Sequence, residues 1–260
     1  MDKVAAIIQA RMGSSRLPGK VLMDICGHPM LWHVVTRAHT AMMLDEVIVA
    51  TSTAVEDDAI VDFCDSHGIV VFRGSQHDVL DRYYQAAIYV GATTIVRITA
   101  DCPLLDPIVV DKVISRFAAD QYDYVSNVEP PTYPDGVNAE VCSFDALART
   151  WREARWQSER EHVTLHMRKH PESFRTANVV NDRDLSSLRW TVDAREDLEF
   201  VRAVYEELGT DTMSMDNVLD LLERWPTFGG INARYTRGEG LLQSLRQDHL
   251  VQLSHHALNY

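Results

Sequence analysis

Apolar residues arrive in short uninterrupted runs along the first half of the chain. Val4-Ala5-Ala6-Ile7-Ile8, Val47-Ile48-Val49-Ala50-Thr51, Ile69-Val70-Val71-Phe72 and Thr94-Ile95-Val96-Arg97-Ile98 are the clearest. A run with no polar alternation suits a central strand buried on both faces. Between these runs the apolar positions recur with helical spacing, over about 29–41, 56–66, 78–90 and 107–118. Thr53 and Glu56 have capping-box spacing, and Asp106 places a capping acid before a proline at the first helical position. Strands alternating with helices predict βαβ units. The expected fold class is therefore α/β, with a doubly wound, mostly parallel (Rossmann-like) sheet. Such sheets bind ligands beyond the carboxyl ends of their strands.

The rhythm breaks after about residue 120. A Pro/Gly loop, 129–136, precedes an expected strand over 137–141. Helices are expected over 143–156 and 158–170, with Ser158 and Glu161 in capping-box spacing. His162, His166 and His170 would then share one helix face, as an ordinary polar face or as a metal-ligand pair. Leu188-Arg189-Trp190-Thr191-Val192 reads as a further strand, leading to a helix over 194–208. The expected organisation is a main domain over 1–235, an insertion at about 120–175 and a C-terminal helical tail over 236–260, amphipathic near 241–250.

Charge narrows the choice of partners. Lys and Arg total 25 against 38 Asp and Glu, so the net charge is −13. A general nucleic-acid binder needs a basic face to replace phosphate counterions, so nucleic acid is not an expected partner. No apolar run is long enough to cross a membrane, and the first residues do not read as a secretory signal. Cys26, Cys64, Cys102 and Cys142 are scattered, which fits buried thiols in a reducing cytoplasm.

Against that acidic background one loop is basic. Gln9-Ala10-Arg11-Met12-Gly13-Ser14-Ser15-Arg16-Leu17-Pro18-Gly19-Lys20 follows the first strand and contains no acid. Its backbone N–H groups can form an anion nest, and its cations supply charge, which fits a di- or triphosphate. It is not a P-loop, because the glycine spacing is wrong and Val21 follows Lys20. The hydroxyl that holds Mg²⁺ in a P-loop is missing, so a metal would need other ligands. Asp101 and Asp193 each end a predicted strand and are candidates. Each has a bland alternative, Asp101 as a turn residue and Asp193 as a helix N-cap.

The segment 10–20, followed by Gly27-His28-Pro29-Met30-Leu31, resembles the sugar-activating cytidylyltransferases. These include the synthetases of CMP-acylneuraminate and CMP-octulosonate. The branch most similar is the spore coat polysaccharide biosynthesis protein F group. The resemblance spans about 3–225 and implies the nucleotidyltransferase type of fold and a soluble enzyme that pairs as a homodimer through 120–175. It implies that Arg11, Arg16 and Lys20 hold the CTP phosphates, and that Ala10, Gly13, Ser14, Thr51 and Ser52 lie near the nucleotide. Arg73, Ser75 and Asp81 fit nucleotide sites, or equally a turn and a surface ion pair. Asp101 matches the family's metal-binding acid before a Pro-Leu pair. Asp193 matches the acid opening its Asp-x-x-Glu-Asp-Leu segment. Mg²⁺ (or Mn²⁺) is the implied metal.

On the acceptor side, Asn138 and Glu140 follow the loop where the alternation ends, although a plain hairpin reads as well. The segment Arg160-Glu161-His162 is placed at the cleft by similarity, with Arg160 and His162 as the acceptor-binding candidates. Trp151, Trp156 and Trp190 read as core or interface residues. The activity implied is transfer of CMP from CTP to a sugar acid or phosphorylated acceptor, with pyrophosphate released for surface polysaccharide or glycoconjugate synthesis. A uridylyl- or guanylyltransferase acting on a sugar phosphate, and a non-catalytic nucleotide-binding module, are the alternatives.

Overall fold

The predicted apolar runs lie side by side in one sheet. The structure, a computed structural model, describes residues 2–209 and 213–251. From the start of the chain, β1 (Val4–Gln9) leads through the basic loop and a short 3-10 turn (Lys20–Leu22) to a small hairpin, β2 (Asp24–Ile25) and β3 (His28–Pro29). Then come α1 (Met30–His39), β4 (Glu46–Ser52), α2 (Asp58–Ser66), β5 (Val70–Gly74), α3 (Val79–Val90), β6 (Thr94–Thr99) and α4 (Pro107–Ala118). The later part holds β7 (Tyr124–Ser126), β8 (Glu140–Ser143), α5 (Phe144–Glu153), α6 (Gln157–Glu161), α7 (Leu165–Lys169) and β9 (Thr176–Asn178). It ends with α8 (Arg195–Leu208), α9 (Met215–Arg224), α10 (Pro226–Gly229) and α11 (Glu239–Arg246).

The main sheet has the order β5-β4-β1-β6-β8-β7-β9 among the described residues. β1 pairs in parallel with β4 and with β6, and β8 runs antiparallel to its neighbours β6 and β7. Strand order reverses between β1 and β6. This is a topological switch point, where a crevice opens beyond the carboxyl ends of the strands. Ala6 and Ile8 of β1 pack with α1 and α4, while Ala5 and Ile7 pack with α3 and α5. Burial on both faces is why these strands read as continuous apolar runs. A further apolar cluster joins Trp190 and Val192 to α8 and α9. Asp106 caps α4 as expected, accepting from the N–H of Ile108 at 2.8 Å, and its other oxygen accepts from Met215 N at 2.6 Å.

Several expectations fail, for local reasons. Residues 188–192 form no strand and make only an isolated bridge, Asp135 with Arg189. The strand expected over 137–141 begins at Glu140. Short β7 and β9 carry too few residues to show a pattern. The helix expected over 158–170 is two helices. Val163 between them takes a left-handed φ of 50°, so His162 does not share a face with His166 and His170. Neither expected capping box forms at Thr53 or Ser158. A 3-10 turn with Ala54 at its cap precedes α2. Glu159 caps α6, accepting from Trp156 N at 3.4 Å, while Ser158 lies inside the helix. Trp190 is core and Trp156 is exposed. Part of the expected tail, 252–260, lies outside the described residues.

Candidate active site

The basic loop is pinned at both ends. Ala10 N donates to Ala50 O at 3.2 Å, and Met12 N donates to Asp57 Oδ1 at 2.7 Å. Asp57 also accepts from Ser52 Oγ at 2.5 Å, so its buried carboxylate ties the loop to the end of β4. Gly19 N closes the loop on Met12 O at 2.9 Å. Gly19 sits at φ 72°, a left-handed position that glycine takes at little cost, and this turn directs Lys20 under the loop.

Lys20 is buried and meets both candidate acids. Its ammonium donates to Asp101 Oδ2 at 2.8 Å, Asp193 Oδ1 at 2.8 Å and Val192 O at 2.7 Å. Burial disfavours the ammonium, but the two carboxylates outweigh it and raise the lysine above its ordinary pKa. Burial likewise opposes ionisation of Asp101, yet Lys20 prevails and lowers that carboxyl to about 2. Both partners thus shift toward the charged pair.

Asp193 arrives without a strand behind it. Val192 N donates to Asp101 O at 2.8 Å and Trp190 N to Asp135 O at 2.6 Å, which lash this segment to the turn after β6 and to the loop between β7 and β8. The approach requires Gly136, at φ 113°. A Cβ there would lie 2.6 Å from Thr191 N, inside any tolerable contact. Asp197, not Asp193, takes the cap of α8, accepting from the N–H groups of Asp193 and Ala194 at 2.9 Å each. Asp193 is therefore free to face the cleft. Its Oδ2 also accepts from Arg16 and Arg189 at 2.9 and 3.1 Å. Buried Arg189 is held in turn by Asp197 at 2.9 and 3.0 Å.

Lys20, Asp101 and Asp193 line a cleft of about 510 Å³ at the switch point. Gln9, Arg97 and Thr99, from β1 and β6, also line it, together with Arg11, Ser14, Arg16, Glu161 and His162. Arg97 is paired with Glu140 and donates to Gln9 Oε1 at 3.2 Å. Arg11 meets Glu161 at 3.1 Å, and Arg16 meets Glu239 at 2.6 Å. Burial, with Arg97 nearby, lowers His162 to about 4, so its imidazole is neutral at pH 7; Nε2 lies 3.0 Å from Ser244 Oγ.

The cytidylyltransferase family profile matches residues 5–228. The chain belongs to the cytidylyltransferase family. It is a nucleotidyltransferase enzyme. The spore coat polysaccharide biosynthesis protein SpsF of Bacillus subtilis is 34% identical over 87% of this chain and 96% of its own length. The 3-deoxy-manno-octulosonate cytidylyltransferase of Nitratidesulfovibrio vulgaris is 39% identical over 43% of this chain and 45% of its own. The solved structure of a cytidylyltransferase from Leptospira borgpetersenii superposes with a TM-score of 0.84 at 30% identity, covering 88% of this chain and 97% of that one.

Not every residue expected at this cytidylyltransferase's cleft lines it. Ala10, Gly13, Thr51 and Ser52 lie on the loop or the end of β4, outside the lining. Buried Thr51 Oγ1 has no hydrogen-bond partner among the described residues. Arg73 turns back to Ser52 O and Ala54 O at 3.0 Å each, and Ser75 Oγ caps Asp78 N at 3.1 Å. Asp81 faces α5, accepting from Trp151 Nε1 at 2.9 Å. Arg160 is buried and clamped on Asp78, because an inward guanidinium needs an anion, and so it does not reach the cleft. Asn138 bonds Asp135 at 3.1 Å, and Glu140 lies beneath the cleft, bound to Arg97, Tyr124 and Thr164. Sequence reasoning missed Arg97 and Thr99. The lone arginine within an apolar strand was the available signal for Arg97.

The geometry also suits a hard divalent cation. Asp101 and Asp193 are both partly open to the cleft and could hold one there, because the position their nearest oxygens share is filled by the Lys20 ammonium, 2.8 Å from each. An all-oxygen set completed by phosphate and water is what Mg²⁺ prefers.

Proposed function

We propose that this enzyme transfers CMP from CTP to a sugar acid or a phosphorylated small-molecule acceptor, releasing pyrophosphate, for surface polysaccharide or glycoconjugate synthesis. The observation that carries this reading is the meeting of the basic loop with Asp101 and Asp193 at the switch point. Similarity to SpsF and to an octulosonate cytidylyltransferase supports the acceptor class.

Arg11, Arg16 and Lys20 hold the triphosphate. Arg11 and Arg16 exchange the carboxylates of Glu161 and Glu239 for phosphate oxygens, one anion for another. The buried end of β4, with the unpartnered Thr51 Oγ1, lies toward the base. Asp101 and Asp193 would hold Mg²⁺ or Mn²⁺, which supplies charge neutralisation on the phosphates. An acceptor oxygen attacks the α-phosphorus in line, its new P–O bond forming as the bond to the β-phosphate oxygen breaks. Positioning and fixed positive charge do the work, so no side-chain nucleophile is required. Arg97 and neutral His162 stand on the acceptor side, where Arg97 suits an acidic group. Assembly as a homodimer belongs to this reading and is checked by sedimentation.

Pyrophosphate release is assayed with each nucleoside triphosphate, Mg²⁺ and a pool of sugar acids and sugar phosphates. CTP should be preferred, and Asp101→Asn should leave less than about a tenth of the rate. Preference for UTP or GTP, or CTP binding without turnover, refutes the proposal.

A further inference from the structure

The family match ends at residue 228, yet the chain continues along the mouth of the cleft. Residues 236–251 form a strap from the metal side to the acceptor side. One end is tied by Arg189 Nη1 to Thr236 O at 3.2 Å. The other is tied by Ser158, whose N and Oγ donate to the two oxygens of Asp248 at 2.8 and 2.7 Å. Gly240, Gln243, Ser244 and Gln247 of the strap line the cleft itself.

Two features show what this strap is built to do. Glu239 stands where the basic loop offers positive charge: Oε2 accepts from Arg16 Nη1 at 2.6 Å, while Oε1 is oriented by Thr236 N at 3.1 Å. A carboxylate oxygen on a guanidinium satisfies the same donors as a phosphate oxygen. Meanwhile α11 has no buried residue, and Leu242 and Leu245 are exposed. A helix of this length is marginal alone, and here polar contacts rather than a core hold it, which sets a low cost for local release.

We infer that the strap is an autoinhibitory cover, with Glu239 occupying Arg16 in place of a triphosphate oxygen, so that nucleotide entry and strap docking compete. This rests on the reading of the cleft as a CTP site. Glu161 on Arg11 belongs to the matched domain, whereas Glu239 lies on a segment outside it that can leave.

The test is calorimetric titration of the full chain with CTP and Mg²⁺, comparing Glu239→Gln and Asp248→Asn with the parent. Glu239→Gln should tighten CTP binding about two- to fivefold, the range of a partly exposed ion pair. Asp248→Asn loosens the far anchor without touching Arg16 and should shift binding in the same direction. CTP with Mg²⁺ should also speed trypsin cleavage after Arg237 and Arg246. Weaker or unchanged binding in both variants, or slower cleavage with CTP, overturns the inference, because the strap would then close onto the nucleotide or ignore it. If neither parent nor Glu239→Gln binds CTP, the CTP reading itself falls and takes this inference with it.

Discussion

Replacing Lys20 with methionine tests how the two acids tolerate each other. The substitution keeps most of the side-chain volume and removes the ammonium that lies 2.8 Å from both carboxylates. In the parent, Lys20 outweighs burial and lowers Asp101 from 3.8 to about 2. At about 1.36 kcal/mol per unit, the charged state of Asp101, held chiefly by Lys20, contributes on the order of 2 kcal/mol at neutral pH. Spread over a chain of this size, its loss should lower Tm by about 5 °C.

The pH dependence has a definite sign. A depressed carboxyl contributes stability above its unfolded pKa, and that contribution is lost as pH falls through the folded value. The gap between parent and Lys20→Met should therefore be full at pH 7 and close between about pH 4 and pH 2. In the variant the paired carboxylates repel, so a divalent cation gains more from binding there. Mg²⁺ should raise the variant's Tm by more than the parent's. Thermal melts by circular dichroism at both pH values, with and without Mg²⁺, give all three readings. Equal melting of parent and variant at pH 7, with equal response to Mg²⁺, would refute the placement of Lys20 between the acids.

Three other substitutions probe separate parts of the scaffold. Gly136→Ala drives a Cβ to within 2.6 Å of the backbone at Thr191, so urea melts should show a loss of about 3 kcal/mol or more and pyrophosphate release should fall as Asp193 is displaced. Asp197→Asn removes the closest anion of buried Arg189, leaving it Asp193 at 3.1 Å and Asp135 at 3.7 Å, and about 3 kcal/mol of stability should disappear in the same assay. His162 is lowered to about 4 by burial first and Arg97 second, so the folded state binds its proton less readily than the unfolded chain. Its stability cost should grow as pH falls from about 6.5 to 4, and His162→Gln should flatten that part of the curve; an unchanged slope would show that this imidazole is not depressed.

Much of the fold was legible because its signals are local. β1, β4 and β6 are continuous apolar runs since helices cover both faces, and Asp106-Pro107 starts α4 through its own side chain. The basic loop was legible for the same reason: its cations and glycines are contiguous in an acidic chain. What failed depends on neighbours distant in sequence. Residues 188–192 look like a strand but are held by single bonds to Asp101 and Asp135. Arg160 looks like a cleft residue but is claimed by Asp78, and the histidine face is broken by one left-handed residue.

The sequence by itself determined the alternating strands and helices of the parallel core and the chemical character of the loop, since periodicity and contiguous charge act over a few residues. Only the tertiary structure decided that Lys20 lies between Asp101 and Asp193, that Asp197 frees Asp193 by taking the helix cap, and that Glu239 rests on Arg16. The Lys20 and Glu239 contacts join residues whose mutual approach depends on chain closure, and the Asp197 cap, though local, is fixed by Asn232 from far along the chain; the preference of a buried charge for its partner is settled only when all candidates are brought together.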